Sequence, residues 1–179
     1  KARIFENQTA DDWAVVNADD PMVLEMARRS AARTRLFARD AALDDGTTVS
    51  NGWIVSRRDG HADRLVPLDA IHLIGPHLVV DVMAAATVGT LAGSAPAAMT
   101  AAVDAFRGLE HAMELVAEIG GVRFVNDSKA TNVESALRSI ESFPSDLVPI
   151  IGGRFKGGGL RLLRGALGGR ARAVGGVGE

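Results

Sequence analysis

The 179-residue chain carries 20 lysines and arginines against 22 aspartates and glutamates, a net charge of -2, so it offers no broad basic surface to nucleic acid or an anionic membrane. Its hydrophobic content of 47% suffices for a packed core, in one domain or two small ones, but with 4% aromatic residues that core must be aliphatic and alanine-rich. The absence of cysteine excludes disulfides and thiolate chemistry.

Residues 1–8 read as the end of a helix followed by a turn. Trp13-Ala-Val-Val-Asn17 reads as a buried strand, after which Asp20 is placed to cap a helix with Pro21 at its first position. The neighbouring carboxylates Asp19 and Asp20 would suit a metal or acid–base work, but capping accounts for them. Residues 33–37 form a second expected strand. Between 47 and 73 the pattern changes to hairpins, with Asn51-Gly52 and Asp59-Gly60 as turn signals. Trp53 to Val55, Leu65, Val66, Ile71 and Leu73 are expected to supply a small antiparallel sheet. His61 is expected in solvent, and His72 has no visible partner.

Gly75-Pro76-His77 opens an apolar helix expected over 78–91. The apolar run that contains it, 78–93, is interrupted by Asp81 and is too short to cross a bilayer. A further helix is expected from about 94 to 106, and Arg107-Gly108-Leu109 reads as a domain junction, dividing the chain into 1–108 and 109–179. Residues 114–119 and 122–125, joined by Gly120-Gly121, read as a hairpin. It leads into Asn126-Asp-Ser-Lys-Ala-Thr-Asn132 and then a helix whose Val133, Ala136, Leu137 and Ile140 recur at i, i+3, i+4 and i+7. Thr131 and Glu134 have the spacing of a capping box. Polar residues between a strand end and a helix start lie where α/β folds bind ligands, although a well-capped polar turn would look the same. Residues 147–151 read as a buried strand ending in Gly152-Gly-Arg-Phe-Lys-Gly157, where glycines would let backbone approach an anion beside two cations. The G-x-x-x-x-G-K-[ST] order of a P-loop occurs nowhere. A short helix over 160–167 and a glycine-rich strand end over 174–177 complete the pattern.

The segment from Gly121 to Asn132, G-V-R-F-V-N-D-S-K-A-T-N, resembles the signature of the Mur ligases, and within them of those that add D-glutamate to UDP-N-acetylmuramoyl-L-alanine. Similarity extends to residues 1–8 (A-K-x-x-I-[FY]-x-N-Q), 15–21 (V-V-N-A-D-D-P), Gly75 and His77 (G-x-H-N-x-x-N) and 152–159 (G-G-x-x-K-G-x-D). The resemblance implies an α/β fold. Residues 1–108 would be the second half of a central ATP-binding domain, a sheet with small antiparallel hairpins. Residues 109–179 would be the first half of a Rossmann-like C-terminal, glutamate-binding domain. The implied reaction is cytoplasmic, ADP-forming amide synthesis in peptidoglycan precursor assembly, through an acyl phosphate. It uses ATP and Mg²⁺, with UDP-N-acetylmuramoyl-L-alanine and D-glutamate as substrates and neither nucleic acid nor membrane as partner. The P-loop and UDP-sugar regions of such a ligase would lie outside these residues, so the chain alone is expected to be inactive.

By the same resemblance, Lys1 would be carbamylated and ligate magnesium at the catalytic centre; the alternative is a plain terminal lysine. His77 and Asp81 would lie at the nucleotide, Asp127 would hold the ATP ribose, and Lys129 would face the phosphates as a catalytic cation. Thr131 would contact D-glutamate, and Lys156 would bind its carboxylate. Four positions depart from the pattern: Leu78 and Asp81 stand for two asparagines, Ala112 for the arginine of H-R-x-E, and Gly159 for an aspartate. A non-catalytic remnant that binds nucleotide or a partner is an alternative. A folylpolyglutamate synthetase-like ligase is another, against which the N-D-S-K-A-T-N string argues.

Overall fold

Alternation along Trp13–Asn17 buries Ala14 and Val16 and makes this segment, β1, the strand from which the first sheet grows. The computed structural model describes residues 2–154, 157 and 159–178; Lys1 and Lys156 therefore lie outside the described residues. The chain divides into two compact units, Lys1–His72 with Leu78–Phe106, and Leu73–His77 with Arg107–Glu179.

In the first unit, β1 pairs in parallel with β2 (Arg33–Ala38), and β2 in parallel with β3 (Gly46–Ser50). Antiparallel β4 (Trp53–Arg58) and β5 (His61–Pro67) extend the sheet in the order β1-β2-β3-β4-β5. The turns read from sequence form as expected. Asn51 and Gly52 have φ of 49° and 76°, and Asp59 and Gly60 have 51° and 76°, the left-handed pairs of type I′ hairpins. The hairpins do not make a separate small sheet, however, because the Phe37–Thr47 register joins them to the parallel strands. Nor do Ile71 and Leu73 form a strand: after Pro67, which has no N–H to give a ladder, the chain takes a 3₁₀ turn at Leu68–Ala70. The N-terminal segment is likewise a short 3₁₀ turn, Ala2–Phe5.

Helix α1 (Pro21–Ala27) is capped as the sequence implies, the Asp20 carboxylate accepting the N–H groups of Met22 (2.9 Å) and Val23 (3.2 Å). Asp19 accepts the N–H groups of Arg39 (2.7 Å) and Ala41 (2.8 Å), so both carboxylates hold backbone. Helix α2 (Pro76–Leu91) buries Val82, Met83, Ala86 and Thr87, with the hydroxyls of Thr87 and Thr47 2.8 Å apart. Helix α3 (Pro96–Ala105) reaches β5 through Thr100, whose hydroxyl donates to the Leu65 carbonyl at 3.1 Å. His72 does have a partner: its Nε2 lies 2.8 Å from Asp104 Oδ1, 32 residues on. No helix among the described residues is long and apolar enough to cross a membrane.

The second unit contains the hairpin β6 (Glu114–Ile119) and β7 (Val122–Asn126), turned at Gly120 and Gly121 with φ of 58° and 78°. Helices α4 (Val133–Glu141) and α5 (Arg161–Leu167) pack Ile140 against Leu163 and Ala166, with Val133, Ala136 and Leu137 around them. Strands β8 (Ile150–Gly152) and β9 (Gly175–Val177) form a two-stranded parallel sheet. Asp146 and Arg172 join the segments leading into these strands, and the Arg172 hydrogen bond holds the Asp146 carboxyl below its usual value.

Two expectations fail here. The buried strand over 147–151 is short and one-sided: Leu147 and Ile151 face the α4–α5 core, but Val148 and Ile150 are 58% and 72% exposed. With β9 as its single strand neighbour and helices on one side, its alternate side chains have nothing among the described residues to bury against. The capping box does not form either. Asn132, not Thr131, is the N-cap, its side-chain oxygen accepting the Ser135 N–H at 2.8 Å. Asn caps at least as well as Thr, so the helix starts one residue later and Glu134 no longer has the N3 spacing.

Candidate functional site

Strand β7 delivers the loop 126–131, and three sets of hydrogen bonds fix its shape. Asn126 Oδ1 accepts the Ser128 N–H (3.1 Å), and the Asp127 carbonyl accepts the Ala130 N–H (2.9 Å), closing the loop on itself. The turn before β6 then docks onto it. Lys129 N–H donates to the His111 carbonyl at 3.0 Å, and Asn126 Nδ2 lies 2.8 Å from His111 Nδ1. His111 and Met113 hold φ of 67° and 50°, and Met113 is buried. That unusual backbone aims the Met113 N–H at Asp127 Oδ1, 3.1 Å away. The other Asp127 oxygen accepts a short bond from the Ser139 hydroxyl of α4. Asp127 is thus held from both sides and half-buried, while Lys129 is exposed.

Helix α4 presents a second, polar stripe. Ser135, Arg138, Ser139 and Ser142 recur at i, i+3, i+4 and i+7, opposite the apolar residues that build the core. Ser142 Oγ lies 3.4 Å from His77 Nδ1, bringing the 73–77 segment to the end of this stripe. Gly75 makes that approach possible: its φ is 109°, and a Cβ there would sit 2.8 Å from the His77 ring. Together these elements enclose a cleft of about 200 Å³ lined by His77, Asp127, Lys129, Ala130, Ser135, Arg138 and Ser139.

The cleft gathers three of the residues singled out from sequence, His77, Asp127 and Lys129. Thr131 is exposed just beyond it, and Asp81 is exposed on α2 in the first unit; neither lines it. Lys1 and Lys156 lie outside the described residues. Ser135, Arg138 and Ser139 are the lining residues that the sequence reading missed. The signal was present in the polar complement of the same helical period whose apolar half was recognised. A larger groove in the first unit, about 680 Å³ beside Trp53, Arg64, Thr100 and Asp104, contains none of the residues expected to do chemistry. No group of three or more His, Asp or Glu side chains able to hold a metal occurs among the described residues.

The α/β fold of the chain is similar to that of solved Mur ligases. It is similar to a solved MurF from Acinetobacter baumannii, with a TM-score of 0.72 at 14% identity, over 100% of this chain and 41% of that one. A second solved structure, the UDP-N-acetylmuramoylalanyl-D-glutamyl-2,6-diaminopimelate–D-alanyl-D-alanyl ligase of the same organism, gives a TM-score of 0.69 at 13% identity. In sequence the similarity is closer. Curated proteins named UDP-N-acetylmuramoylalanine–D-glutamate ligase match at 43% identity in Acidobacterium capsulatum (97% of this chain) and 45% in Pelobacter propionicus (88%). The match in Solibacter usitatus is 38% over 97% of this chain. No family model matches. The chain belongs to the Mur ligase family, matching its D-glutamate-adding members over 35–38% of their length.

Proposed function

We propose that this chain supplies nucleotide- and amino-acid-contacting parts of an ATP-dependent ligase that joins D-glutamate to UDP-N-acetylmuramoyl-L-alanine. The observation that carries the reading is the gathering of His77, Asp127 and Lys129 at one cleft, by a loop in a chain that matches the D-glutamate-adding relatives. The residues present fit ATP. Lys129 and Arg138 have no side-chain partner among the described residues and leave cationic donors for phosphate. Asp127, fixed by Met113 and Ser139, keeps unused lone pairs with which to accept ribose hydroxyls. Bound ATP would supply the phosphoryl group that activates a carboxylate for amide formation. Lys129 then balances phosphate charge from a loop already pinned by its own N–H, so little reorganisation is needed as charge builds. Mg²⁺ commonly takes only one or two protein carboxylates beside the substrate phosphates, and the described residues gather no group of three or more His, Asp or Glu side chains for it.

On this reading Thr131 and Lys156 serve D-glutamate, Lys156 as counter-charge to its carboxylate, and Asp81 serves the nucleotide. The two parts that meet at 108/109 correspond to the central and C-terminal domains of the ligase. In the relatives' full-length context, Lys156→Ala should raise the D-glutamate concentration needed for half-saturation by roughly tenfold or more, a charge-assisted hydrogen bond being worth about 1.5–3 kcal/mol. ATP saturation should hold. Weakened ATP binding with unchanged D-glutamate dependence would make the Gly152-Gly153 loop a phosphate cradle and overturn this assignment.

A further inference from the structure

We infer that Arg138 is a phosphate-binding residue, its guanidinium closing on the same polyphosphate that Lys129 faces. This rests on the reading of the cleft as a nucleotide site. Arg138 and Lys129 line one cleft from different elements, the α4 helix and the 126–131 loop. Of the described charged residues lining that cleft, the single carboxylate, Asp127, is engaged by Met113 and Ser139, leaving two cations against one anion among them.

The remaining polar groups have little left to donate. The Ser139 hydroxyl is given to Asp127, and the Ser135 hydroxyl lies 3.0 Å from Asn132 Oδ1. The ordinary fate of an arginine on a helix surface is a pair with a carboxylate one turn away. Glu134 stands at that spacing, and Glu141 at i+3, yet neither pairs with Arg138. A rigid fork of five N–H donors is therefore left facing the cleft, the geometry that matches phosphate oxygens in pairs.

Size sets the class of ligand. At about 200 Å³ the cleft is smaller than the roughly 300–1,000 Å³ that encloses a drug-sized molecule, so it would take the phosphates and the ribose edge of a nucleotide and leave the base outside. Among the described residues that line the cleft, Arg138 is the one that carries a guanidinium.

The test is a titration of the 179-residue chain, followed by amide NMR shifts, with ATP, inorganic tripolyphosphate and adenosine as separate probes. Arg138→Ala should weaken ATP and tripolyphosphate by about tenfold, as expected for one lost charge-assisted contact, and leave adenosine unchanged. Arg138→Lys should recover part of the loss, because charge returns without the fork. The thermal melt should not move, since the side chain is exposed. Unchanged tripolyphosphate affinity in Arg138→Ala, with a loss in Lys129→Ala, would overturn the role of Arg138 alone. A loss confined to adenosine would make Arg138 a base contact and overturn the phosphate assignment. Failure of the wild-type chain to bind either phosphate probe would overturn both this inference and the nucleotide reading of the cleft.

Discussion

Asp127→Ala is expected to cost both stability and nucleotide affinity, and Asp127→Asn only the second. The carboxylate first serves the fold, accepting the N–H of buried Met113 and the hydroxyl of Ser139 and so tying the turn before β6 to helix α4 through the loop. Truncation to alanine leaves a half-buried N–H without a partner, at about 1–3 kcal/mol. In a unit of this size each kcal/mol lowers the melting temperature by roughly 4–8 °C. Asparagine keeps an oxygen for Met113 and an amide for Ser139, so its melt should stay near wild type. It lacks the negative charge and the second acceptor with which the carboxylate would hold two ribose hydroxyls, so its ATP affinity should fall. The comparison needs only thermal melts and ATP titrations of the two variants. If asparagine retains wild-type ATP affinity, Asp127 is a structural tie and not a ribose ligand.

The second large effect is expected at Gly152. Its place in β8 opposite Val177 leaves no room for a side chain: a Cβ there would fall on the Val177 carbonyl oxygen. The obstacle is backbone, which cannot rotate aside, so Gly152→Ala should part β8 from β9 at a cost of about 3 kcal/mol or more, the upper end for overpacking. Hydrogen exchange should show it, with the Gly153 N–H, bonded to the Val177 carbonyl at 3.2 Å, losing protection first. The first unit should melt unchanged. An alanine variant with wild-type protection at Gly153 would mean that the two strands separate easily and that the register has no steric lock.

What the sequence made legible was local chemistry. Asp20 before Pro21, the Asn51-Gly52 and Asp59-Gly60 pairs, and the apolar period of α4 each specify a few residues' backbone on their own terms, and each forms as read. Distant partnerships were not legible. The parallel joining of β2 to β3 and the His72–Asp104 pair are set by packing between segments that share no local signal. The start of α4 was missed by one residue because Thr131 and Asn132 are both competent caps, and only the folded backbone chooses between them. The exposed side of β8 was misread because an apolar run does not reveal how many of its faces have neighbours. At the candidate site, the resemblance brought Asp127, Lys129 and His77 into view. Arg138 belongs to none of the motifs that carry the resemblance and became visible through its position on the polar stripe of the helix.

The most direct measurement is made on a chimera. Residues 1–179 would replace the matching segment of the Acidobacterium capsulatum relative, and ADP release would be followed with UDP-N-acetylmuramoyl-L-alanine and D-glutamate. The expected result is ADP release that requires both substrates, forms the corresponding amide product, and is lost in Lys129→Ala. A folded chimera that binds ATP yet forms no product in the presence of both substrates would contradict the ligase reading. It would favour a nucleotide-binding remnant, with Leu78, Ala112 and Gly159 as the first positions to restore.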